Sequence, residues 1–218
     1  MLNRFLALAA GLLVAAAVNA QDAKPAPAGK TEWKEGQHYL VIDPPVATST
    51  PGKVEVLEAF SYACPHCAHF QPYAEQIKAA LPKQATFVYL PVVFNPSWEP
   101  FARAYYAAQS MGVLDKTHQA LFDALHRDRK PLRTIEDIAS FFATLGVDEK
   151  NFVSTSKSFV VEGNLARAQQ NLGAYGIDST PTIIINGKYR LNAGTAGGLE
   201  QTVELTKYLV AKEAAGKK

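Results

Sequence analysis

The stretch from Phe60 to Phe70 reads FSYACPHCAHF and contains both cysteines of the chain, Cys64 and Cys67. Two cysteines in this arrangement serve as a structural disulfide, as part of a metal site, or as a redox-active pair. A disulfide that closes a loop of about four residues stabilises a fold by only about 2 kcal/mol, because so short a loop restricts the unfolded chain very little. A purely structural role therefore explains the pair poorly.

A metal site needs further ligands, which the sequence pattern does not supply. Structural zinc takes four protein ligands, and the chain has no third cysteine. His66 lies between the thiols and His69 follows them, whereas the other histidines stand far apart without ligand spacing: His38, His118 and His126. Covalent haem attachment requires histidine directly after the second cysteine, where this chain has Ala68. We predict no metal site and no haem.

The residues around the cysteines favour redox chemistry. Cys64 directly precedes Pro65, and proline is typical of the first turn of a helix. Free backbone N–H groups and the helix dipole stabilise a thiolate at such a position. Cys67 is predicted to lie one turn further on the same face, with its sulfur more deeply buried. His66 is predicted to place a positive charge or a hydrogen bond near the sulfur, the alternative being an exposed loop side chain.

Glu58 is the candidate proton carrier for this pair. It lies in VEVLEAF, residues 54–60, which is apolar at nearly every position and is typical of a strand covered on both faces. The alternation of side chains puts Glu58 on the same face as Val56 and Phe60, so the pKa of its carboxyl group is expected to be raised by burial. The alternative is a glutamate near the strand end that reaches solvent.

A second candidate segment lies much later in the chain, where Ser179-Thr180-Pro181-Thr182 enters an apolar run. Proline cannot donate a hydrogen bond to a sheet and is found at strand starts. The sequence alone shows neither whether the Thr180–Pro181 bond is cis nor whether this segment lies near Cys64.

Periodicity divides the rest of the chain into three parts and predicts an α/β fold. Apolar runs at YLVI, VEVLEAF and TFVYLPV predict strands, with a helix from about Pro65. From about residue 96 to residue 158 the pattern is helical, with predicted N-caps at Asp115, Thr134 and Asp148. A helix then leads back to a β-hairpin turning at Asn186-Gly187 and to a closing amphipathic helix.

The start of the chain predicts export. Arg4 precedes the apolar run FLALAAGLLVAAAV, which is short for a membrane span and ends at a small-residue cleavage pattern, Val18-Asn19-Ala20. We predict a signal peptide over residues 1–20, an uncleaved anchor being the alternative, and a tether over residues 21–37. The net charge is +2, from 22 basic and 20 acidic residues, so no nucleic-acid partner is expected.

The motifs together resemble a known family. EAFSYACPHCAHF, followed much later by TPTIIINGKY, is similar to the thioredoxin superfamily, and Pro-His between the cysteines resembles its secreted DsbA-type thiol:disulfide oxidoreductases. The resemblance implies a thioredoxin-like fold interrupted by a helical insertion domain. Its first part would span residues 38–95, the insertion residues 96–165 and the second part residues 166–218.

The resemblance also implies roles for the site residues. Cys64 would be the nucleophile, Cys67 the resolving cysteine and Glu58 the buried acid. Pro181 would be a cis-proline facing them, and the backbone at Thr180 would bind an extended substrate segment. The family often has valine before this proline, whereas this chain has Thr180. The Thr180 hydroxyl is expected to contact the nucleophilic sulfur, and the redox strength of the pair stays open.

The implied activity is oxidation of newly exported proteins with free cysteines. The disulfide itself would be the redox carrier without a cofactor, and a DsbB-type membrane quinone reductase would reoxidise it. We expect a periplasmic monomer, since no added dimerisation segment follows the predicted signal peptide. The alternatives are an isomerase or reductase of the same fold and a non-catalytic periplasmic metal carrier or chaperone.

Overall fold

The computed structural model describes residues 32–216. The predicted signal peptide and the predicted tether up to residue 31 lie outside this range. Within it, no helix is both long enough and apolar enough to cross a membrane.

A mixed β-sheet forms the centre of the described chain. Its strands lie in the order β1-β5-β4-β2-β3. They are β1 (Leu40–Val41), β2 (Val54–Phe60), β3 (Ala85–Pro91), β4 (Thr182–Ile185) and β5 (Tyr189–Leu191). Strand β2 pairs in parallel with β3 and antiparallel with β4, and all seven of its residues are buried. The run VEVLEAF is therefore a central strand covered on both faces, as its apolar sequence predicts.

Two long helices pack against each other beside the sheet, α1 (Pro65–Ala80) and α8 (Leu199–Ala215). Phe70, Ala74 and Ile77 of α1 join a core cluster that contains Val54 and Val56 of β2. The short helix α7 (Ala193–Ala196) leads into α8. The helix that carries the cysteines is thus fixed along one side by buried apolar contacts.

A helical segment follows β3. It contains a 3₁₀ turn (Pro96–Trp98), α2 (Glu99–Ser110), α3 (Leu114–Phe122), a π-helical turn (Asp123–Arg127), α4 (Ile135–Ala143), α5 (Glu149–Ser156) and α6 (Phe159–Tyr175). Arg103 of α2 donates hydrogen bonds to Glu162 of α6 and to the carbonyl oxygen of Ser156. The predicted domain boundary at residue 165 lies inside α6, and the bounds of the three parts remain predictions.

Local signals identified most elements but missed some ends. Thr134 and Asp148 cap α4 and α5 as predicted, each accepting a hydrogen bond from a backbone N–H in the first turn. The prediction for Asp115 was wrong, because α3 begins at Leu114 and its N-cap is Val113, two residues before Asp115. The expected four-residue strand YLVI is also shorter, since only Leu40 and Val41 pair with β5.

The predicted hairpin is present. Strands β4 and β5 are joined by a turn in which Asn186 and Gly187 both have positive φ, +51° and +68°. A Cβ atom on Gly187 would collide with the backbone of Val46, so this position requires glycine for space as well as for conformation.

Candidate active site

The loop between β2 and α1 presents Cys64 as the N-cap of the helix. The Cys64 N–H donates to the carbonyl oxygen of Ser61 at 3.1 Å, and Pro65 occupies the first helical turn. The Cys64 sulfur lies at the end of the helix where the first backbone N–H groups have no partner within the helix.

The pKa of Cys64 is lowered to about 5. The largest cause is a hydrogen bond from the thiol of Cys67, followed by the opposing effect of burial. The Thr180 hydroxyl and the backbone N–H groups of Cys67 and His66 also donate to this sulfur. Because all of these donors stabilise the charged form, Cys64 is a thiolate at neutral pH.

Cys67, in contrast, favours the protonated thiol. It is 0% exposed against 5% for Cys64, and both cysteines are free thiols in this structure. Burial is the main cause that raises the pKa of the Cys67 thiol far above its ordinary range, and the hydrogen bond that it donates to Cys64 adds to the effect. The pair thus consists of one thiolate with slight exposure and one fully buried thiol, which is the asymmetry that thiol–disulfide exchange requires.

Glu58 lies in the buried interior beside this pair. Its side chain is 0% exposed, and neither carboxyl oxygen has a hydrogen-bond partner among the described residues. Burial raises the pKa of Glu58 to about 8, and the charge of Lys78 opposes that rise. Glu58 is thus buried as the alternation in β2 predicted, and its carboxyl group is mostly protonated at neutral pH.

The strand pairing brings Thr180 and Pro181 to the cysteines across more than a hundred residues. Since β4 runs antiparallel to β2, the start of β4 lies beside the end of β2, with Thr182 opposite Ala59. The Thr180–Pro181 peptide bond is cis. The carbonyl oxygen of Thr180 lies 3.6 Å from the Cys64 sulfur and accepts a hydrogen bond from it when the sulfur is protonated.

A groove of about 300 Å³ adjoins this contact. It is lined by His66, His69, Ser179, Thr180, Pro181, Asn192, Ala193, Gly194 and Leu199. The imidazole of His66 and the ring of Pro65 are exposed at the surface. The contribution of His66 to the Cys64 thiolate comes from its backbone N–H, whereas the sequence pattern had pointed to its side chain.

Two histidines that sequence analysis did not include in the site hold the loop before Cys64. The Tyr62 hydroxyl lies 2.7 Å from Nδ1 of His118 in α3, and Nε2 of His126 in the π-helical turn lies 2.7 Å from the Tyr62 carbonyl oxygen. Burial lowers the pKa of His118 to about 3, so its ring is neutral. The sequence carried a weak indication of this shared role, since His118 and His126 lie about two turns apart in the predicted helical segment.

Residues 55–203 match the model of the DSBA-like thioredoxin domain family. This match covers more than half of the chain. The chain belongs to the DsbA family.

Named DsbA proteins are similar over most of their length. The thiol:disulfide interchange protein DsbA of Pseudomonas aeruginosa is 40% identical over 187 residues, which cover 86% of this chain and 89% of that protein. The protein of the same name from Pseudomonas syringae pv. tomato is 36% identical over 99% of this chain and 98% of its own length. The crystal structure of Pseudomonas aeruginosa DsbA superposes with a TM-score of 0.80 at 41% identity, covering 85% of this chain and 97% of that one.

These similarities confirm the predicted α/β, thioredoxin-like fold and the class of enzyme. The chain is a thiol:disulfide oxidoreductase of the DsbA family. The roles assigned to Cys64, Cys67, Pro65, His66 and Glu58 as catalytic residues, and those of Thr180 and Pro181 in substrate binding, remain predictions.

Proposed function

We propose that the oxidised chain transfers a Cys64–Cys67 disulfide to exported proteins that carry free cysteines. The observation that carries the proposal is the opposite protonation of the two sulfurs. A lowered pKa at Cys64 favours the reduced enzyme, and an enzyme whose reduced form is stabilised is a strong disulfide donor. DsbA proteins are the general example of such a redox balance, so the direction of this effect is common to the family and not peculiar to this chain.

The first step of the cycle is attack by a substrate thiolate on the Cys64 sulfur. A new disulfide forms between substrate and Cys64, and the Cys64–Cys67 bond breaks with its electron pair on Cys67. Because the pKa of Cys67 is raised by burial, the leaving sulfur takes up a proton at once. Glu58, which is protonated at neutral pH, is the donor.

The second step releases the product. A second substrate thiolate attacks its own sulfur in the mixed disulfide, so that the substrate disulfide forms and Cys64 leaves as a thiolate. The donors around Cys64 stabilise this leaving group. Two electrons have then passed from the substrate to the enzyme, and the Cys64–Cys67 pair is the carrier without a dissociable cofactor.

The groove beside the cis-proline supports binding of the substrate as an extended peptide segment. Thr180 and Pro181 precede β4 and line the groove, so their backbone is placed to bind an extended peptide segment. A substrate cysteine in that segment would lie next to the Cys64 sulfur, which is 3.6 Å from the Thr180 carbonyl oxygen.

The reaction would take place in the periplasm. The predicted signal peptide over residues 1–20 supports export to this compartment, where disulfides persist. Reoxidation would come from a membrane quinone reductase of the DsbB type. The enzyme would act as a monomer.

The experiment is a titration of the redox pair against graded glutathione buffers, combined with substrate trapping. A pair that stays reduced except in strongly oxidising buffer supports the donor function. Cys67→Ser is expected to accumulate mixed disulfides with substrate proteins through Cys64, while Cys64→Ser is expected to form none. The two variants are matched controls, since each keeps one of the two active-site thiols.

Two results would contradict the proposal. A pair that stays oxidised until the buffer is strongly reducing would contradict the donor function and indicate a reductase. A Cys67→Ser variant without mixed disulfides would contradict the assigned order of attack.

A further inference from the structure

Two hydrogen bonds close the active-site loop, residues 61–64, into a turn. The Cys64 N–H donates to the Ser61 carbonyl oxygen at 3.1 Å, and the Ala63 N–H donates to the Ser61 hydroxyl oxygen at 3.2 Å. Both bonds lie within the loop, so they shape it but do not join it to the helical segment. Tyr62 makes that connection.

Tyr62 is held at both of its oxygen atoms. Its side chain is 1% exposed, and its ring packs against that of Phe122 with the ring centres 4.9 Å apart. Its hydroxyl oxygen lies 2.7 Å from Nδ1 of His118, and its carbonyl oxygen lies 2.7 Å from Nε2 of His126. The histidine pair, His118 and His126, thus holds both the side chain and the backbone of one loop residue.

The π-helical turn explains how two histidines of one helical run reach the same residue. The two lie eight positions apart, which in a regular α-helix leaves their side chains about 80° apart around the axis. The run widens over Asp123–Arg127, where the Asp128 N–H donates to the Asp123 carbonyl oxygen, five positions back, at 2.9 Å. A wider turn rotates less per residue and so reduces this angle. Single π-helical turns of this kind are frequent at functional sites.

The loop that Tyr62 anchors touches both sulfurs of the redox pair. The backbone N–H of Ser61 donates a hydrogen bond to the Cys67 sulfur. Cys64 is the last residue of the loop, and its sulfur accepts hydrogen bonds from the Cys67 thiol and the Thr180 hydroxyl. Hydrogen bonds weaken steeply with distance and misalignment, so a displaced loop would lose part of this stabilisation. The position of the loop therefore determines how well the reduced pair is stabilised.

The histidine pair acts on the sulfurs through the position of the loop. Burial lowers the pKa of His118 to about 3, so its ring is neutral and adds no positive charge beside the cysteines. The hydrogen bond of His126 ends on the Tyr62 carbonyl oxygen, two residues before Cys64. Both contacts thus reach the redox pair through Tyr62.

We propose that the histidine pair has a positioning role in the redox reaction, because it holds Tyr62 where the Cys64 sulfur keeps its hydrogen-bond donors in the reduced enzyme. This inference rests on the donor function proposed above, and it adds the residues of the helical segment on which the strength of the donor depends. In the oxidised enzyme the Cys64–Cys67 bond holds the two sulfurs together by itself. Loss of the contacts therefore costs the reduced form more, and makes the enzyme a weaker oxidant.

Exchange with glutathione reports this balance. Two glutathione thiols transfer two electrons to the Cys64–Cys67 disulfide, so that the disulfide bond of the enzyme breaks and the bond of glutathione disulfide forms. Of the two protons that glutathione releases, one stays on Cys67. The other goes to solvent, because the lowered pKa of Cys64 keeps this sulfur a thiolate at pH 7. The equilibrium constant thus compares the reduced enzyme with the oxidised enzyme directly.

The test compares this equilibrium constant among variants of the protein at pH 7. Tyr62→Phe keeps the ring and removes the hydroxyl group that contacts His118, and His126→Leu removes the donor to the Tyr62 carbonyl oxygen. Each is expected to shift the equilibrium toward the oxidised enzyme by about three-fold, which is part of what one hydrogen bond contributes. His126→Gln keeps a donor in the side chain and is expected to recover part of the shift.

Tyr106→Phe is the matched control. It removes the hydroxyl group of another buried tyrosine of the helical segment, whose ring lies edge-on to that of Tyr105 in α2. We expect the equilibrium constant of this variant to equal that of the parent, because a loss of stability shared by both redox forms cancels in their ratio. Urea unfolding of both forms checks this point. In Tyr62→Phe and His126→Leu the reduced form should lose more stability than the oxidised form.

Three results would overturn the proposal. In the first, Tyr62→Phe and His126→Leu have the equilibrium constant of the parent. In the second, Tyr106→Phe shifts the constant as much as they do, and in the third the shift is toward the reduced enzyme. His126→Leu decides the question alone if Tyr62→Phe does not fold. The constant of the parent is the separate test of the donor function, so failure of that function and failure of this inference appear in different measurements.

Discussion

Nε2 of His126 lies 2.7 Å from the backbone carbonyl oxygen of Tyr62, two residues before Cys64. Because a carbonyl oxygen only accepts, His126 must carry a hydrogen on Nε2. This bond joins the π-helical turn of the helical segment to the loop that presents the nucleophile. The helical segment therefore helps to set the position of the active-site loop, as well as packing beside the sheet.

His126→Leu is expected to destabilise the fold by about 1 kcal/mol, since the Tyr62 carbonyl oxygen loses its donor in a partly buried place. His126→Gln keeps a donor in the side chain and is expected to recover part of the loss. Urea unfolding of both variants beside the parent checks this expectation. Equal stability of the leucine variant and the parent would show that the contact contributes nothing.

We expect the reduced protein to be more stable than the oxidised protein at pH 7. The pKa of Cys64 is about 5, below its ordinary value of 9.0. A lowered thiol pKa stabilises the reduced fold. This contribution is complete at pH values above the ordinary pKa and is lost as the pH falls through about 5. At pH 7 it amounts to about 2 kcal/mol after allowance for solvent near the sulfur. This corresponds to about 40 mV toward the oxidising side.

The measurement is a pair of urea unfolding curves, for the reduced and the oxidised protein, at pH 7 and again near pH 4. The advantage of the reduced form should shrink at the lower pH, because Cys64 is then a thiol in both the folded and the unfolded chain. A higher midpoint for the oxidised form at pH 7 would rule out a strong disulfide donor.

Thr180→Val is expected to raise the pKa of Cys64 by roughly one unit, since one hydrogen bond to a charged sulfur is lost. The ultraviolet absorbance of the thiolate, followed as a function of pH, measures the shift directly. Thr180→Ser keeps the hydroxyl group and is expected to stay close to the parent. The glutathione equilibrium of the valine variant should move in the same direction, toward a weaker oxidant. An unchanged titration would show that the hydroxyl group does not act on the sulfur.

Glu58→Gln is expected to change the pH dependence of stability in the reduced protein. The pKa of Glu58 is raised to about 8 from 4.5, so the folded state holds a proton that the unfolded chain releases, and stability falls as the pH rises between these values. The glutamine side chain does not ionise, so the variant does not lose stability in this way as the pH rises. The difference in unfolding free energy between variant and parent should therefore grow by about 3 kcal/mol from pH 5 to pH 8. A constant difference over this range would mean that the carboxyl group ionises normally.

The parts of the site that could be predicted are those determined by neighbouring residues. The buried strand around Glu58 follows from an apolar run, and the placement of Cys64 at a helix start follows from Pro65. The hairpin at Asn186-Gly187 is equally local, since both residues tolerate positive φ. In each case a few adjacent side chains decide the backbone conformation.

The parts that could not be predicted depend on contacts between distant residues. Thr180 reaches Cys64 only because β4 pairs antiparallel with β2, and the register of that pairing is not written in either strand alone. His118 and His126 reach Tyr62 through the packing of the helical segment. The same limit applies to His66, whose position between the cysteines gave no sign that its backbone N–H, rather than its ring, would face the sulfur.

The presence of Cys64 and Cys67 as the two cysteines of the chain also affects how this protein forms its own disulfide. A chain with six cysteines has 15 possible pairings, whereas these 218 residues contain two cysteines and allow a single internal pairing. The newly made chain therefore has no wrong internal disulfide to form and none to rearrange. An enzyme that supplies disulfides to other proteins thus needs an oxidant for its own cysteine pair, but no isomerase to correct the pairing.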